Sequence, residues 1–382
     1  MRVLSIGTDR NLFMNDTEVR ERTIKYGKLV DELHIIVFSL SLLNHTPQKI
    51  SENVWIYPTN SWNRWFYVHD AISIGKKILS TNYKLQSTNW LVTSQDPFET
   101  GLVGYRIARK FKLPLQLQVH TDFLDPHFIH ESHLNKARVK IARSLIPKAT
   151  RIRVVSQKIR NSIIDTFKNI NSAHIDVLPI FVDLQKIKLD DGIPNLKKKY
   201  PQFDFLLLVV ARLEQEKNVP LALFALKSVL RRHPKTGLII VGEGSKKIRL
   251  KKLIEHEGIA GNVLFEGWQR DLAPYYKTAD ALLVTSNYEG FGRMFIEAAA
   301  VGCPIVTTDV GIARELILDD ESSFICPVGD RACMGRNVAR LIEHESVRRV
   351  YGLKIKGRAV GITISDEKTY FEQYKALWEQ CL

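Results

Sequence analysis

The chain has 382 residues, 45% of them hydrophobic, and its formal net charge at pH 7 is +14. This length is too great for one ordinary hydrophobic core and fits two domains of about 150 to 200 residues each. The composition excludes a low-complexity chain, and the longest apolar runs are shorter than the roughly 20 residues that a membrane-spanning helix needs. Because residues 1–7 have the pattern of a strand, we also expect no signal peptide.

Short apolar runs alternate with amphipathic helical patterns along the whole chain. In the first half, these patterns predict strands at residues 2–7, 32–39, 54–58, 90–95, 115–120, 151–156 and 175–180, and helices at 17–30, 99–111 and 156–167. After residue 204 they predict strands at 205–211, 237–244, 262–267, 280–286, 303–309 and 322–327, and helices at 219–234, 247–258, 272–279, 295–302 and 313–317. Such alternation is typical of a parallel sheet that helices cover on both faces.

Two successive sets of strands and helices predict an α/β chain with two Rossmann-like, doubly wound domains that face each other across a cleft. The first domain is predicted at residues 1–185, the second at 186–363, and an amphipathic terminal helix within 364–382. The loop around residues 183–204 contains the turn sequence DDGIPN and a Lys-rich segment, so it is the predicted linker. Parallel sheets bind ligands beyond the carboxyl ends of their strands, and we therefore expect a ligand in the cleft.

The chain has four cysteines, and their spacing gives no sign of a metal site or of a redox pair. They are Cys303, Cys326, Cys333 and Cys381, and none of them forms a Cys-x-x-Cys pair. No histidine cluster supplies metal-ligand spacing either. The pattern predicts reduced thiols in a cytosolic protein and no bound metal.

A strongly basic stretch covers residues 136–160. Between Glu131 and Asp165 there is no acidic residue, but there are nine basic ones: Lys136, Arg138, Lys140, Arg143, Lys148, Arg151, Arg153, Lys158 and Arg160. This pattern is typical of a solvated helix face. It is equally typical of a surface that binds an anionic membrane, and both interpretations stay open. Because no nucleic-acid-binding motif accompanies the charge, we expect no nucleic-acid partner.

A group of aromatic residues surrounds Arg64 in the stretch NSWNRWFYVHD, residues 60–70. The group consists of Trp62, Trp65, Phe66 and Tyr67. Packing between a strand and a helix would explain it. A platform for an acceptor or for the membrane interface would also explain it, since Trp and Tyr favour that boundary.

The stretch SNYEGFGRMFIEAAAVGCP, residues 286–304, combines two glutamates with a glycine turn. Glu289 is predicted in the loop after a buried strand, where Gly290 and Gly292 let the backbone approach a ligand closely. The helix behind them offers free N–H groups and its positive dipole end to a phosphate, and Glu297 lies about 7 to 8 Å along it. Glu297 alone would be an ordinary surface glutamate. The whole stretch predicts two carboxylates beside a phosphate, which suits the hydroxyls of a nucleotide sugar.

The spacing of Glu289 and Glu297 resembles the E-x7-E motif of the retaining glycosyltransferases of family 4, which have the GT-B fold. The resemblance covers most of the second half, where VVARLEQEKN, IIVGEG, VLFEGW and GCPIVTTDVGIAREL stand in the order and spacing of the family. In the first half, TSQDPFETGLVG, LQLQVHTDF, IRVVSQKI and VLPIFVD fit less specifically. The resemblance implies the GT-B fold, with the last helix crossing back onto the first domain.

The resemblance also implies which residues bind the donor. Arg212 and Lys217 match the phosphate-binding pair of the family, and with the helix end they would stabilise the leaving diphosphate without a metal ion. Glu297 would hold the ribose, and Glu289, counted as catalytic, would hold the transferred sugar. The other donor-binding residues implied by the motif are Gly290, Phe291, Gly292 and Arg293.

His120 ends the buried run LPLQLQVH. A lone histidine at such a place is usually a core or loop residue, but the resemblance places an active-site histidine here, facing the donor sugar. His120 is therefore predicted to be catalytic, and Asp122 to orient it or to contact the acceptor. Many members of the family carry a Gly-Gly loop after the first strand. This chain has GTDRNLFMNDTEVRER there, with Gly7 alone, and Asp16 and Arg20 are the predicted acceptor-binding residues.

Together these features predict a metal-independent glycosyltransferase that moves a hexosyl group from GDP-mannose or a UDP-hexose to a lipid-linked or glycan acceptor. The resemblance to the family implies that the transfer retains the anomeric configuration. No cofactor is expected beyond the nucleotide-sugar co-substrate. A role in polysaccharide biosynthesis, in the cytoplasm or peripherally on the inner face of the membrane, follows from this prediction. Two alternatives stay open: a nucleotide-sugar epimerase of GT-B fold, and a non-catalytic protein that binds nucleotide sugars.

Overall fold

The chain folds into two units, which we describe separately. The computed structural model describes residues 1–82, 89–184, 187, 195–318, 324–364 and 366–382. The first unit contains Met1–Leu178 and Lys368–Leu382, and the second contains Pro179–Glu367. Within the predicted linker around residues 183–204, residues 185–186 and 188–194 lie outside the described residues.

The first unit is built on an eight-stranded sheet in the order β3-β4-β2-β1-β5-β6-β7-β8. Its strands are β1 (Arg2–Gly7), β2 (Glu32–Val37), β3 (Gln48–Ser51), β4 (Val54–Pro58), β5 (Trp90–Ser94), β6 (Leu115–Val119), β7 (Arg151–Val154) and β8 (Ile175–Val177). Neighbouring strands are parallel, except that β3 pairs antiparallel with β4. The short edge strand β3, of sequence QKIS, was not predicted, because it has no apolar run of its own.

The second unit has a six-stranded sheet in the order β11-β10-β9-β12-β13-β14. Its strands are β9 (Phe205–Val210), β10 (Thr236–Val241), β11 (Val263–Gly267), β12 (Ala281–Val284), β13 (Ile305–Thr308) and β14 (Ile325–Cys326). All the described strand pairs are parallel. Parallel strands with buried faces need continuous apolar sequence, which the run FLLLVV of β9 provides.

Helices connect the strands of both sheets. They are α1 (Glu18–Gly27), α2 (Tyr67–Asn82), α3 (Glu99–Phe111), α4 (Pro126–Glu131), α5 (His133–Leu145), α6 (Gln157–Thr166), α7 (Val219–Leu230), α8 (Lys247–His256), α9 (Ala273–Thr278), α10 (Arg293–Val301), α11 (Ala313–Leu316), α12 (Arg331–Glu343), α13 (Glu345–Ile362) and α14 (Glu367–Glu379). Among the described residues, no helix has the length and apolar character needed to cross a bilayer.

The terminal helix α14 packs in the first unit through an aromatic stripe. Tyr370, Tyr374 and Trp378 are buried and lie four residues apart, so they share one face of the helix. The ring of Tyr26, on α1, lies 4.6 Å from that of Tyr374, and the hydroxyl groups of Tyr26 and Tyr370 are 3.3 Å apart. The stripe holds α14 on the unit that begins the chain.

The prediction of four reduced thiols is wrong for two of the cysteines. Cys326 and Cys333 form a disulfide, with their Cα atoms 5.7 Å apart. The chain turns back after β14 at Gly329, whose φ of +81° favours glycine, and this brings the first turn of α12 beside the strand. The two cysteines are seven residues apart, so their spacing does not match the Cys-x-x-Cys pattern. Cys303 and Cys381 are free and buried.

Candidate active site

In the second sheet, the order in which successive strands are added reverses between β9 and β12, which makes this place a topological switch point. These strands are neighbours, and the strands that follow each of them continue toward opposite edges of the sheet. The loops at their carboxyl ends therefore diverge and leave room for a ligand, as in other open α/β sheets. A small cavity at this point is lined by Val209, Val210, Ala211, Lys217, Leu283, Val284, Thr285, Ser286 and Met294.

Lys217 and Glu289 meet at this point. Lys217 Nζ donates a hydrogen bond to Glu289 Oε1 at 2.5 Å, and the two side chains are only 15% and 11% exposed. Ser286 Oγ donates to the same carboxylate oxygen at 2.8 Å, and Thr285 Oγ1 donates to the Lys217 carbonyl at 2.9 Å. The two loops are thus tied together by both backbone and side chains.

The glycine turn after Glu289 leads directly into α10. Gly292 has a φ of +85° and precedes the first residue of the helix. Phe291 is buried, and its carbonyl accepts a hydrogen bond from the Ile312 amide at 3.2 Å. Gly311, with a φ of +53°, lies so close that a Cβ atom there would be 2.5 Å from the Phe291 carbonyl oxygen. The site therefore needs a glycine at position 311 as well as in the turn.

Glu297, the second glutamate of the motif, is the fifth residue of α10 and is 7% exposed. Tyr276, on α9, donates its hydroxyl hydrogen bond to Glu297 Oε2 at 2.9 Å. Arg293, one turn earlier on α10, lies 3.2 Å from Glu297 Oε1. Burial raises the pKa of Tyr276, and the carboxylate of Glu297 adds to the effect, so Tyr276 stays a donor.

Arg212 lies on the loop after β9, together with Lys217. Its side chain is 73% exposed, and Nη2 donates to Glu216 Oε1 at 2.9 Å. The Glu216 carbonyl accepts a hydrogen bond from the Asn287 amide at 2.7 Å, which joins this loop to the one after β12. Among the described residues, no group of three or more His, Cys, Asp and Glu side chains could hold a metal ion.

In the first unit, His120 follows β6 and is partly buried. Its Nε2 atom lies 3.1 Å from Gln118 Oε1. Burial lowers the pKa of His120 to about 3, and the positive charges of Arg153 and Arg22 lower it further in the same direction. His120 is therefore a neutral imidazole over the physiological pH range.

Among the described residues, none of the other predicted residues of the first unit is hydrogen-bonded to His120. Asp122 is 5% exposed, and its Oδ1 accepts a hydrogen bond from Ser162 Oγ at 3.3 Å, so Gln118 and not Asp122 orients the imidazole ring. Arg20 Nη1 donates to the Leu12 carbonyl at 3.3 Å and to Gln48 Oε1 at 3.1 Å. Asp16 is exposed, with a φ of +58°.

Several residues of these arrangements were not predicted as site residues, among them Tyr276, Gly311, Gln118 and Arg153. Tyr276 and Gly311 lie far in sequence from the residues they contact. A signal did exist for Gln118 and Arg153, since polar residues inside the apolar strands LQLQV and RIRV need a specific buried partner. The polar residues in these strands show that Gln118 and Arg153 need buried partners, but the sequence does not show which residues those partners are.

Three of the four aromatic side chains near residue 64 are exposed and are not packed between a strand and a helix. Trp62 and Trp65 are 80% and 91% exposed, whereas Tyr67 is buried and begins α2. The Ser41 amide donates a hydrogen bond to the Ser61 carbonyl at 2.9 Å, which joins the two loops that expose apolar side chains. Those exposed side chains are Leu42, Leu43, Trp62, Trp65 and Phe66.

Part of the basic stretch has internal partners. Arg138 pairs with Glu99, Arg151 pairs with Asp176, and Arg153 is 3% exposed. The exposed basic residues of the stretch lie on α5 and just after it: Lys136, Lys140, Arg143 and Lys148. An open groove of about 490 Å³ between α3 and α5 is lined by Leu102, Tyr105, Arg106, Arg109, Lys110, Ser144, Leu145 and Lys148.

Two family models match this chain. One is described as glycosyl transferases group 1 and matches residues 194–358, and the other is described as glycosyltransferase family 4 and matches residues 43–186. Together they cover most of both units. The chain belongs to the glycosyltransferases of family 4, as the E-x7-E motif predicted.

Curated relatives agree with this family. The alpha-monoglucosyldiacylglycerol synthase of Streptococcus pneumoniae is 27% identical over 240 residues, which are 60% of this chain and 54% of the relative. The N-acetylgalactosamine-N,N'-diacetylbacillosaminyl-diphospho-undecaprenol 4-alpha-N-acetylgalactosaminyltransferase of Campylobacter jejuni is 30% identical over 219 residues, 56% of this chain and 57% of the relative. The chain spans about half the length of the curated relatives it matches.

Solved structures have the same fold. Sucrose-phosphate synthase from Thermosynechococcus elongatus superposes with a TM-score of 0.78 at 16% identity, over 100% of this chain and 99% of the other. HepE from Anabaena, in complex with UDP and glucose, superposes with a TM-score of 0.74 at 20% identity, over 98% of each chain. The prediction of a GT-B fold is confirmed.

Proposed function

We propose that this family 4 glycosyltransferase transfers a hexosyl group from a nucleoside diphosphate sugar with retention of configuration and without a metal ion. The observation that carries the proposal is the Lys217–Glu289 pair, at the switch point of the second sheet and in front of the N-terminus of α10. A cation, a carboxylate and free helix N–H groups at one place suit a diphosphate that is linked to a sugar.

The diphosphate is the leaving group, and its growing negative charge needs stabilisation. Lys217 is hydrogen-bonded to Glu289, and Arg212 to Glu216. On donor binding, each of the two cations would exchange its acidic partner for a phosphate oxygen. Glu289 would then be free to accept hydrogen bonds from the hydroxyls of the transferred sugar. These two cations and the N-terminus of α10 would supply the positive charge that a divalent metal supplies in other enzymes.

Glu297 would bind the ribose of the nucleotide. Tyr276 and Arg293 hold its carboxylate at the buried face of α10, so the ribose hydroxyls would meet an acceptor of fixed orientation. The motif implies that Gly290, Phe291 and Gly292 contribute their backbone to the donor site. Residues 186–363 would thus form the donor domain and residues 1–185 the acceptor domain, with His120 as its catalytic residue.

Either a UDP-hexose or GDP-mannose would serve as the donor. The solved structure of HepE contains UDP and glucose, which favours the uridine nucleotide. One relative is named as the synthase of a glucosylated diacylglycerol, and another as a transferase for a sugar chain on diphospho-undecaprenol. These names favour a lipid-linked glycan acceptor and a role in polysaccharide biosynthesis. The roles of Asp16, Arg20 and Asp122 in binding this acceptor stay predictions.

The enzyme would then work in the cytoplasm, peripherally on the inner face of the membrane. The exposed cations of α5 and of the groove between α3 and α5 would meet anionic lipid, each adding up to about 1 kcal/mol of binding. Sedimentation with vesicles of anionic or zwitterionic lipid checks this. We expect binding to the anionic vesicles alone, and weaker binding after Arg106→Gln and Arg109→Gln, whereas equal binding to both vesicles would contradict the membrane role.

The donor proposal is tested by thermal shift against nucleotides and nucleotide sugars, with and without EDTA. A ligand at 100 times its Kd stabilises a protein by about 2.7 kcal/mol. We expect a shift with one nucleotide family that EDTA does not change and that Arg212→Ala and Glu297→Ala remove. Arg232→Ala, which removes an exposed arginine after α7, is the control and should keep the shift.

Three outcomes separate the proposal from its alternatives. An epimerase would convert UDP-GlcNAc with no acceptor present, and a non-catalytic module would bind the donor and leave it intact. Transfer of sugar to an added acceptor supports the proposal, and the anomeric configuration of the product, read by NMR, tests retention. No shift with any nucleotide sugar would contradict the donor site itself.

A further inference from the structure

One face of the first sheet carries a row of buried polar side chains. The sequence LQLQV of β6 alternates apolar and polar residues, so Gln116 and Gln118 point to the same face. In the strand register, Gln116 lies beside Thr93 of β5, and Gln118 lies beside Arg153 of β7. All four side chains are buried, and Gln116 contacts α14 through the Leu377 carbonyl. The row therefore lies beneath the terminal helix.

Arg153 is the buried charge in this row, and its guanidinium is held from three directions. Nη1 donates to Gln118 Oε1 at 2.9 Å, and Nη2 donates to the Leu178 carbonyl at 3.1 Å and to the Tyr370 hydroxyl at 3.3 Å. The guanidinium carbon also lies 4.8 Å from the centre of the Tyr374 ring. Burying a charge is costly unless such partners are present, so α14 contributes to holding the charged side chain of Arg153 at this buried position.

These contacts determine where the proton of His120 lies. A guanidinium can only donate, so the atom of Gln118 that faces Arg153 must be the carbonyl oxygen. The amide nitrogen of Gln118 then faces Thr93 Oγ1 at 3.2 Å, which agrees with this orientation. The same oxygen lies 3.1 Å from His120 Nε2, and an acceptor there requires a donor. The proton is on Nε2, and Nδ1 keeps its lone pair.

We propose that Arg153 is a positioning residue that acts through Gln118 to hold His120 as the neutral imidazole protonated at Nε2, so that Nδ1 accepts a hydrogen bond from a sugar hydroxyl. This inference rests on the proposed function for the role of Nδ1, but the tautomer follows from the contacts alone. Among the described residues, Nδ1 has no hydrogen-bond partner of its own. The terminal helix α14 takes part in this positioning, because its residues Tyr370 and Tyr374 contact the guanidinium of Arg153.

A neutral acceptor suits the chemistry of glycosyl transfer. Positive charge develops on the sugar ring in the oxocarbenium-like transition state. An imidazolium beside that ring would repel the developing charge, whereas a neutral Nδ1 adds no positive charge and still orients a hydroxyl. The charged groups that act on His120 are Arg153, on β7, and Arg22, on α1, and both disfavour protonation of the ring.

The test compares two isosteric substitutions in the same strand. Gln118→Met removes the link between Arg153 and His120. Gln116→Met removes a buried amide of the same size beneath the same helix and leaves that link intact, so it controls for lost stability. A third variant, Gln118→Glu, keeps the acceptor atoms but places a negative charge beside the ring, which raises the pKa of His120.

The readouts are the 15N shifts of the histidine rings from pH 5 to 8, assigned by comparison with His120→Asn, and the dependence of kcat on pH. We expect wild-type His120 to be protonated at Nε2 alone and not to titrate. Gln118→Met should show both tautomers and about a tenfold lower kcat with KM for the donor little changed, a loss of about 1.4 kcal/mol. Gln118→Glu should move the acid limb of kcat upward by at least one pH unit.

Two results would overturn the inference. One is a wild-type His120 that carries its proton on Nδ1 or titrates near pH 6.5, and the other is an equal effect of Gln116→Met and Gln118→Met on kcat and on the ring shifts. The ring shifts need no substrate. If no nucleotide sugar binds, the proposed function fails, while the ring shifts still decide whether Arg153 and Gln118 set the tautomer.

Discussion

Lys217 Nζ and Glu289 Oε1 are hydrogen-bonded, although the two residues are separated by 72 positions in the chain. Each lies in the loop after one of two neighbouring parallel strands, β9 and β12, so the sheet itself brings them together. The pair neutralises both charges in a largely buried place. A donor that bound here would have to separate the two groups and satisfy both.

We predict that substitutions of Lys217 and Glu289 have non-additive effects on the free energy of unfolding. Lys217→Met leaves the Glu289 carboxylate buried with Ser286 as its remaining hydrogen-bond donor, so the free energy of unfolding should fall by about 2 kcal/mol. Adding Glu289→Gln removes the unpaired charge and should restore about half of this loss. Urea denaturation of the two single variants and the double variant measures the interaction. Additive losses would mean that the two groups do not interact in solution.

Tyr276 is predicted to control the affinity for the nucleotide. Tyr276→Phe removes the hydrogen bond that orients Glu297, so KM for the donor should rise about fivefold to tenfold with little change in kcat. The control is Tyr275→Phe, the neighbouring residue on the same helix, whose hydroxyl donates to Glu266 instead. Steady-state kinetics at varied donor concentration separates them, and equal rises in KM would contradict the role of Tyr276.

Gly311 is predicted to be essential for the shape of the donor loop. In Gly311→Ala, the new Cβ atom would meet the Phe291 carbonyl at 2.5 Å and the Glu289 Cβ atom at 3.1 Å, and would displace the turn. We expect Kd for the donor to rise at least tenfold, measured by calorimetry.

Gly258→Ala is the matched control for that change. Gly258 also has a positive φ, of +69°, but a Cβ atom there would meet nothing within 4 Å. Both variants should therefore lose about 1 kcal/mol of stability from backbone strain, while only Gly311→Ala should weaken binding. Unchanged affinity in Gly311→Ala would show that the turn tolerates displacement.

The buried carboxyl group of Asp96 should make the stability of the first unit depend on pH. Burial raises the pKa of its carboxyl group to about 6, against about 3.9 in an unfolded chain. Folding thus favours the protonated acid, and this contribution is fully present below about pH 4 and lost as the pH rises through 6. Asp96→Asn is neutral at every pH and can still accept the hydrogen bond from the Phe98 amide.

We therefore expect Asp96→Asn to be more stable than wild type above pH 6. The difference in free energy of unfolding should grow by about 1 kcal/mol between pH 5 and pH 8, measured by urea denaturation at each pH. Asp204→Asn, which changes an aspartate that is 74% exposed, is the control for the substitution itself. A constant difference between Asp96→Asn and wild type from pH 5 to pH 8 would place the pKa of Asp96 near its ordinary value.

Local patterns were enough to predict much of this molecule. The predicted helix at residues 99–111 is α3, and the predicted strands at 2–7 and 54–58 are β1 and β4. These elements follow from periodicity and apolar runs, which neighbouring residues determine. The edge strand β3 and the disulfide between Cys326 and Cys333 were missed, because a polar four-residue strand and a seven-residue cysteine spacing have no such local signature.

The sequence by itself determined the α/β class, the two successive sets of strands and the family, because strand–helix alternation and the E-x7-E spacing are properties of short segments. Only the tertiary structure decided which side chains meet. Lys217 meets Glu289 through the order of the strands, and Arg153 meets Tyr370 across 217 positions, through the packing of the terminal helix. Contacts between distant segments depend on how whole elements pack, and no periodicity within a segment records that arrangement.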